Sequence, residues 1–231
     1  MKITVVGASG LIGTKVVDLL TAEGHDVVAA SRGSGVDVLT GDGLADALSG
    51  ADALVDVLNS PSFDDDPVME FFTTSATNLV AAAKAAGVGH YVALSIVGAD
   101  GLPDSGYMRA KVVQEKIITE SGLPYTIVRA TQFAEFTDAI ADSMATGDEV
   151  RVPDALIQPV AADDVARDVA RAAVAQPLGG VVNIGGPQKI SFEQMAREVV
   201  RRRGDDKTVV VDPQARYFGT RLAERSLVTP D

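Results

Sequence analysis

Ile3-Thr4-Val5-Val6-Gly7-Ala8-Ser9-Gly10-Leu11-Ile12-Gly13 is the stretch on which the reading of this chain turns. Ile3–Val6 has the composition of a strand buried on both faces, and Leu11–Ala22 continues with helical spacing. Between them the chain turns on glycines. The first N–H groups of such a helix lack partners and sit at the positive end of its dipole, so they receive an anion. Gly7 permits the sharp turn, Gly10 lets a pyrophosphate approach the backbone, and Gly13 allows the helix to pack closely on the strand. The spacing is GxxGxxG, one residue looser than the usual GxGxxG. Its place directly after a strand and before a helix makes it a dinucleotide-binding turn, with Ser9, Leu11 and Ile12 as further candidate contacts.

Outward from this turn, strand-like and helix-like segments alternate, which predicts an α/β fold with a doubly wound parallel sheet, a Rossmann fold. Expected strands are Ile3–Val6, Asp26–Ala30, Val36–Leu39, Ala53–Leu58, Tyr91–Leu94 and Tyr125–Val128. Expected helices are Leu11–Ala22, Leu44–Leu48, Val68–Ala86, capped by Gly87, and Tyr107–Ser121. Beyond Arg129 the rhythm loosens. A helix around Phe133–Ala145, one near Asp163–Ala175, a strand at Val181–Ile184 and a helix capped by Ser191 are expected, and the stretch from about Gly204 is unassigned. No repeat or long linker divides the chain, so residues 1–231 read as one nucleotide-binding domain in which roughly 130–231 form a small C-terminal, substrate-side portion.

The end of the second strand selects the dinucleotide. An acidic residue there would bond the ribose 2′-hydroxyl of NAD; this chain has Ala29-Ala30-Ser31-Arg32 instead. Arginine pairs bidentately with a 2′-phosphate, so NADP(H) is expected in preference to NAD(H), with Ser31 adding a hydroxyl. Asp42 is a candidate for the adenine edge. Asn59 closes the fourth strand at the carboxyl edge, where ligands lie in such sheets. Either also suits an ordinary turn.

Tyr107-Met108-Arg109-Ala110-Lys111 sets a phenol and an ammonium one helical turn apart on a shared face. A neighbouring cation favours the phenolate and would bring the tyrosine toward acid–base range. Ser95 ends the fifth strand, from where its hydroxyl could polarise a carbonyl. Gln132 and Phe133, beyond the sixth strand, are candidates for the substrate pocket, and Phe136, Met144 and Tyr217 either join it or belong to the core.

In these pieces the chain resembles the short-chain dehydrogenase/reductase superfamily, specifically its atypical NmrA-like members. The resemblance lies in Gly7–Gly13, Asn78–Ala83, Val92–Ser95, Tyr107–Lys111, Pro124–Arg129, Pro159–Ala166 and Asn183–Pro187, and spans about residues 1 to 200. It implies a Rossmann fold, NADP(H) binding and a Ser95–Tyr107–Lys111 catalytic set. Some members of the group lack the tyrosine–lysine pair and act as redox sensors; others reduce quinones by direct hydride transfer. The expected activity is therefore an NADPH-dependent reductase of a small carbonyl or quinone-like acceptor. The alternative is a non-catalytic NADP(H) sensor acting through a protein partner. A nucleotide-sugar epimerase ranks last, because the segment after Arg129 is short.

Composition narrows the field further. The balance of 20 basic and 32 acidic residues, a net charge of −12, opposes a broad nucleic-acid-binding face. The absence of cysteine removes disulfides, thiolate metal sites and thiol nucleophiles, and two histidines leave little for a metal site or a serine–histidine hydrolase. No apolar run approaches the roughly 20 residues of a membrane helix, and the N-terminal run is too short for a signal peptide. The expectation is a cytoplasmic monomer or homodimer with a small-molecule substrate, no metal, no nucleic acid and no membrane. Asp64-Asp65-Asp66 reads as a solvated charge run, and Arg201-Arg202-Arg203 as the basic end of a helix.

Overall fold

The computed structural model describes residues 1–230. Strands β1 (Lys2–Val6), β2 (Asp26–Ala30), β3 (Ala53–Asp56), β4 (His90–Ile96), β5 (Tyr125–Ala130) and β9 (Gly180–Ile184) form a six-stranded, wholly parallel sheet in the order β2-β1-β3-β4-β5-β9. After β1 the chain runs outward to β2 and then returns to the other side of β1 as β3. The strand order therefore reverses at the carboxyl end of β1, where α/β sheets of this type open a crevice for ligands.

Helices cover both faces. On one, α1 (Leu11–Ala22) packs against α6 (Ala162–Val174), and Val16, Leu20, Val165 and Val169 join Ile3, Val5 and Val55 of the sheet. In α6 the buried residues Val165, Ala166, Val169, Ala170 and Ala173 recur at helical spacing and make the stripe that faces the sheet. On the other face lie α2 (Leu44–Leu48), α3 (Asp65–Ala86) and α4 (Gly106–Thr119), with Leu48, Leu79, Ala83 and Ile118 packed on Leu54, Tyr91 and Ile127.

Segment Val36–Leu39, expected as a strand, is not one. It is an irregular loop folded on itself, with Asp37 N–H donating to the Asp42 carbonyl and Asn78 Nδ2 donating to the carbonyls of Val38 and Leu39. Val36 and Val38 are buried against the α2–α3 side of the sheet, so the apolar pattern was a core signal without a ladder. The segment is short and followed by Gly41 and Gly43, both at positive φ, and it cannot extend alongside β2.

After β5 the expected Phe133–Ala145 helix is a 3₁₀ turn at Ala134–Phe136 followed by α5 (Thr137–Ser143). The rest of the C-terminal portion contains β6 (Ala145–Thr146), β7 (Glu149–Val152), β8 (Leu156–Ile157), β10 (Ile190–Ser191), α7 (Phe192–Arg203) and β11 (Thr208–Val211). The unassigned stretch after Gly204 thus supplies β11, which runs parallel to β7 in a three-stranded sheet with β6. This part has its own core of Ile140, Val152, Ile157, Phe192, Met195, Tyr217 and Leu227, joined to the main body through Met108 of α4. Ser191 accepts from Gln194 N–H at 3.0 Å and caps α7. Met144 and Tyr217 belong to this core, the second of the two expected placements, whereas Phe136 is exposed.

Candidate active site

The carboxyl edge of the sheet gathers the chemistry. Register aligns Val6 with Ala30 and Asp56, Asp56 with Ala93, Ser95 with Arg129, and Ala130 with Ile184. Gly7, Ser31, Asn59, Ser95 and Gln132 therefore all emerge at that edge, each within about three residues of a strand end.

The glycine turn is built as a cradle. Gly7 and Ala8 N–H groups donate to the Ala30 carbonyl, docking the turn on the end of β2, and Gly10 N–H donates to the Gly7 carbonyl. Gly7 has φ +85, and a Cβ there would lie 2.9 Å from the Val57 carbonyl oxygen. A Cβ on Gly13 would lie 2.1 Å from the Gly7 oxygen and 2.8 Å from Ala8 Cα, so only glycine lets α1 approach the turn this closely. Around Gly10 the sole near neighbour is the Gly7 oxygen at 3.3 Å, and Ser9, Gly10 and Leu11 face solvent. The first helical bond is Thr14 N–H to the Gly10 carbonyl. That leaves the amides of Leu11, Ile12 and Gly13 without an intrahelical acceptor. No side chain caps them, and no carboxylate occupies the first turn. An open, uncapped, positively polarised helix end fits a pyrophosphate.

Ser31 and Arg32 sit at the end of β2, where the Ser34 hydroxyl accepts from Ser31 N–H and donates to the Ser31 carbonyl, closing a 3₁₀ turn. Arg32 is exposed and makes no ion pair among the described residues. Asp42 lies in the loop that replaces the expected strand. Its carboxylate accepts from the Thr40 hydroxyl at 2.8 Å and is exposed.

The Tyr107–Lys111 pair differs from its expected geometry. Both residues are on α4, but they point to different depths. Lys111 is 3% exposed; its Nζ donates to the Leu94 carbonyl at 2.9 Å and to Gln114 Oε1, and lies 4.4 Å from the centre of the Phe72 ring. Gln114 Nε2 and the Tyr91 hydroxyl both donate to the buried carboxylate of Asp56, which completes a network under the sheet edge. Burial pushes the Lys111 amine down to about 8, against the opposing pull of Asp56 and Glu115. The Tyr107 hydroxyl instead donates to Asn59 Oδ1 at 2.8 Å, toward the outside. Desolvation pushes the phenol up to about 12. The expected lowering by the lysine is thus reversed: the ammonium is spent on a carbonyl and an amide below, and the hydrophobic surroundings of the ring dominate.

Two buried polar atoms at this edge have no hydrogen-bond partner among the described residues: Ser95 Oγ and Gln132 Oε1. Ser95 is 3% and Gln132 8% exposed. An orphaned buried polar atom is costly, and both of these lie at the sheet edge where ligands bind in folds of this type. Phe133 is half-buried, pairs with Val160 through an isolated bridge and has its ring centroid 5.6 Å from that of Phe136, the two rings tilted by 30°.

Sequence reasoning missed the rings around Tyr107. Phe63, on the loop after β3, has its centroid 5.2 Å from Tyr107, and Phe218 lies 6.1 Å from Tyr107 and 5.7 Å from Phe63. The available signal was the Phe218-Gly219 dipeptide, a turn pair, in a chain with few aromatic residues. Asp64 precedes α3, Asp65 and Asp66 lie in its first turn, and Asp65 pairs with Arg109 at 2.7 Å; the triplet therefore orders the start of α3 and is more than a solvated run. Arg202 and Arg203 do end α7, and they also pair with Asp138 and Asp142 of α5.

A family model described as NAD(P)H-binding matches residues 7–177, from the glycine turn to beyond α6. The chain belongs to this NAD(P)H-binding family. Among curated proteins it is similar to the photosystem II assembly factor Ycf39 of Cyanophora paradoxa, 29% identical over 147 residues, covering 58% of this chain and 46% of that protein. The match thus spans less than half the length of that relative. Among solved structures, a dTDP-4-dehydrorhamnose reductase from Clostridium acetobutylicum superposes with a TM-score of 0.73 at 20% identity, covering 92% of this chain and 84% of the other. An NADPH-dependent quinone oxidoreductase from Escherichia coli does so with a TM-score of 0.64 at 24% identity, covering 90% and 76%. These likenesses establish the Rossmann fold. No helix among the described residues is long and apolar enough to cross a membrane, and they include no cluster of metal-ligating side chains.

Proposed function

We propose that the protein is an NADPH-dependent reductase of a small carbonyl or quinone-like acceptor. The observation that carries this reading is the convergence of three features on one sheet edge: the open glycine cradle, the unpartnered Ser95 Oγ and the Tyr107 hydroxyl. The cradle and the amides of Leu11, Ile12 and Gly13 would hold the pyrophosphate, and Ser31 and Arg32 a 2′-phosphate. Asp42 and Asn59 would border the nucleoside. A reduced nicotinamide, when bound, supplies the hydride. Ser95 would donate a hydrogen bond to the acceptor oxygen and satisfy its own orphaned atom in doing so. Gln132 and Phe133 would line the far side of the acceptor.

Tyr107 would give the proton. A phenol raised to about 12 stays protonated throughout the neutral range, and it is still a stronger acid than an aliphatic alcohol product. Its hydroxyl now donates to Asn59 Oδ1, an acceptor that a substrate oxygen can replace. Lys111 acts from below, holding the Leu94 carbonyl and Gln114 beneath the strand end that presents Ser95. The test is an NADPH-oxidation screen over quinones, aldehydes and ketones, followed by Tyr107→Phe. Turnover that falls by roughly 10²-fold or more supports the proton-donor role. Unchanged turnover in Tyr107→Phe removes it and leaves direct hydride transfer.

A second reading has its own support. Lys111 is turned away from Tyr107, and the similar Ycf39 protein bears the name of an assembly factor. A non-catalytic NADP(H)-binding regulator that signals through a protein partner would keep the cradle and need no proton donor. It requires unequal affinity for NADPH and NADP⁺ with no turnover on any acceptor, and a single acceptor reduced at a useful rate eliminates it.

A further inference from the structure

Gln132 leaves β5 with its backbone fixed and its side chain unused. Its carbonyl accepts from Val160 N–H at 2.9 Å; before it Thr131 N–H donates to the Ile184 carbonyl, and after it Ala134 N–H donates to the Val160 carbonyl. The residue is 8% exposed, yet its Oε1 has no partner among the described residues, an arrangement that costs the free protein stability. The other unpartnered atom at this edge, Ser95 Oγ, belongs to the opposite face of the sheet. Ser95 is in register with Arg129, whose guanidinium bonds Glu115 of α4 at 2.9 and 2.6 Å, so both side chains face the α4 side, where Tyr107 stands. Gln132 is tied to the α1–α6 side instead. Val160, its backbone partner, and Phe133, its neighbour, pack in the same core as Ala8 and Ile12 of the glycine turn. The two unpartnered groups thus flank the edge, Ser95 on the side of the proton donor and Gln132 on the side of the cradle.

A dinucleotide laid along this edge starts at the end of β2, with Ser31 and Arg32, crosses the glycine turn after β1 and ends over β4 and β5. The group that arrives beside Gln132 is therefore the nicotinamide. That ring bears a primary carboxamide, which carries N–H donors and a carbonyl acceptor, and a glutamine amide offers the complement. Resting on the NADPH part of the reading above, we propose that Gln132 is a specificity-determining residue of the cofactor site: its amide pairs with the nicotinamide carboxamide, Oε1 accepting and Nε2 donating. The last torsion of a glutamine is broad and roughly two-fold, so either end of the amide can be turned to the ligand and the match survives the exchange. A paired carboxamide holds the ring against rotation about its glycosidic bond, and a single face is then presented to Ser95 and Tyr107. The pairing also selects the amide among pyridine substituents. A 3-acetyl group keeps the oxygen but has no N–H, and it leaves Oε1 buried and unsatisfied.

Calorimetric titration of the full chain tests this without turnover, using NADP⁺, its 3-acetylpyridine analogue and 2′-phospho-ADP-ribose, which lacks the pyridine altogether. Wild-type protein should bind NADP⁺ about tenfold or more tighter than the analogue, and Gln132→Leu should bind the two alike, the loss falling on NADP⁺. Gln132→Glu keeps an acceptor in either protonation state and should keep the preference. 2′-Phospho-ADP-ribose should bind wild type and Gln132→Leu equally. Because Oε1 makes no bond in the free protein, Gln132→Leu should melt at or above the wild-type temperature. A wild type that does not separate NADP⁺ from the analogue, or a Gln132→Leu that still does, overturns the pairing and leaves the NADPH reading standing. Weaker binding of 2′-phospho-ADP-ribose by Gln132→Leu, or a clearly lower melting temperature, overturns it as well, since the amide would then serve the fold. A wild type that binds none of the three ligands sinks the NADPH reading and the pairing with it.

Discussion

Lys111 offers the sharpest quantitative test of the electrostatics beneath the site. Its amine is almost wholly buried, and burial sets it at about 8 against an ordinary value of 10.5. Folding therefore weakens its hold on the proton. Between about pH 8 and 10.5 the unfolded chain carries a proton here that the folded chain has released, so stability rises with pH across that window. Below pH 8 both states are protonated, and the folded state bears the full cost of a buried charge, on the order of 3 kcal/mol. Integrating from pH 7 to 9.5 gives a gain of about 2 kcal/mol from this one group. The comparison stops at 9.5 because the buried phenols, raised above their ordinary value near 10, pull the other way at higher pH. Urea unfolding followed by far-ultraviolet circular dichroism suits a chain without tryptophan. Lys111→Met keeps contact with the Phe72 ring but strips a donor from the Leu94 carbonyl and Gln114, so its absolute stability is a mixed quantity. The pH dependence is not mixed. Wild-type stability should climb by about 2 kcal/mol relative to the variant between pH 7 and 9.5. A variant whose stability climbs as steeply as the wild type's refutes the argument that the buried amine carries the cost.

Two further outcomes concern the nucleotide. Arg32→Ala should weaken NADPH binding by about 10- to 150-fold, the equivalent of about 1.5–3 kcal/mol for hydrogen bonds to a charged group. NADH affinity should not move, since Arg32 has no ion-pair partner among the described residues whose loss would disturb the fold; isothermal titration with both nucleotides decides it, and equal losses would place Arg32 outside the 2′-phosphate pocket. Gly13→Ala puts a methyl 2.1 Å from the Gly7 carbonyl oxygen, where ordinary contact is about 3.4 Å or more. The turn or the helix must move by more than about 1 Å, and losing two amide contacts to the pyrophosphate should cost at least about 100-fold in affinity for both nucleotides. A thermal-shift titration that still saturates normally would show that the cradle is not the binding element.

What could be read from the chain alone was what local chemistry specifies strongly. The apolar runs of β1, β3, β4 and β5 and the helical spacing of α1 and α3 place the sheet and its covers, and Gly87 at φ +69 ends α3 as expected. Val36–Leu39 misled because burial without pairing leaves the same apolar signature as a strand. The C-terminal sheets were hidden for another reason. β6, β8 and β10 are two residues long, and β11 finds its partner β7 some 60 residues earlier in the chain, so no local period announces them. The site shows the same division. Strand ends delivered Ser95, Asn59 and Gln132 to one edge, as topology requires. Depth was not legible. Helical spacing says that residues 107 and 111 share a face of α4, but that face straddles the boundary between the sheet edge and the solvent-facing rings. Phe63 and Phe218 come from loops distant in sequence, and only the packed chain brings them to Tyr107.

The placement of the pair has a consequence for the direction of the proposed chemistry. Oxidising an alcohol requires a base, and a phenol near 12 is ionised in only about one molecule in 10⁵ at pH 7. Reducing a carbonyl to an alcohol requires an acid, and the same phenol is then in its working form at every physiological pH. A lysine beside the hydroxyl would have lowered the phenol toward the neutral range. Here the lysine holds a carbonyl and Gln114 over the Asp56 carboxylate, while apolar rings surround the phenol and raise it further. The arrangement that departs from the simple expectation for a tyrosine–lysine pair is the one that keeps the phenol in the protonated form a proton donor needs.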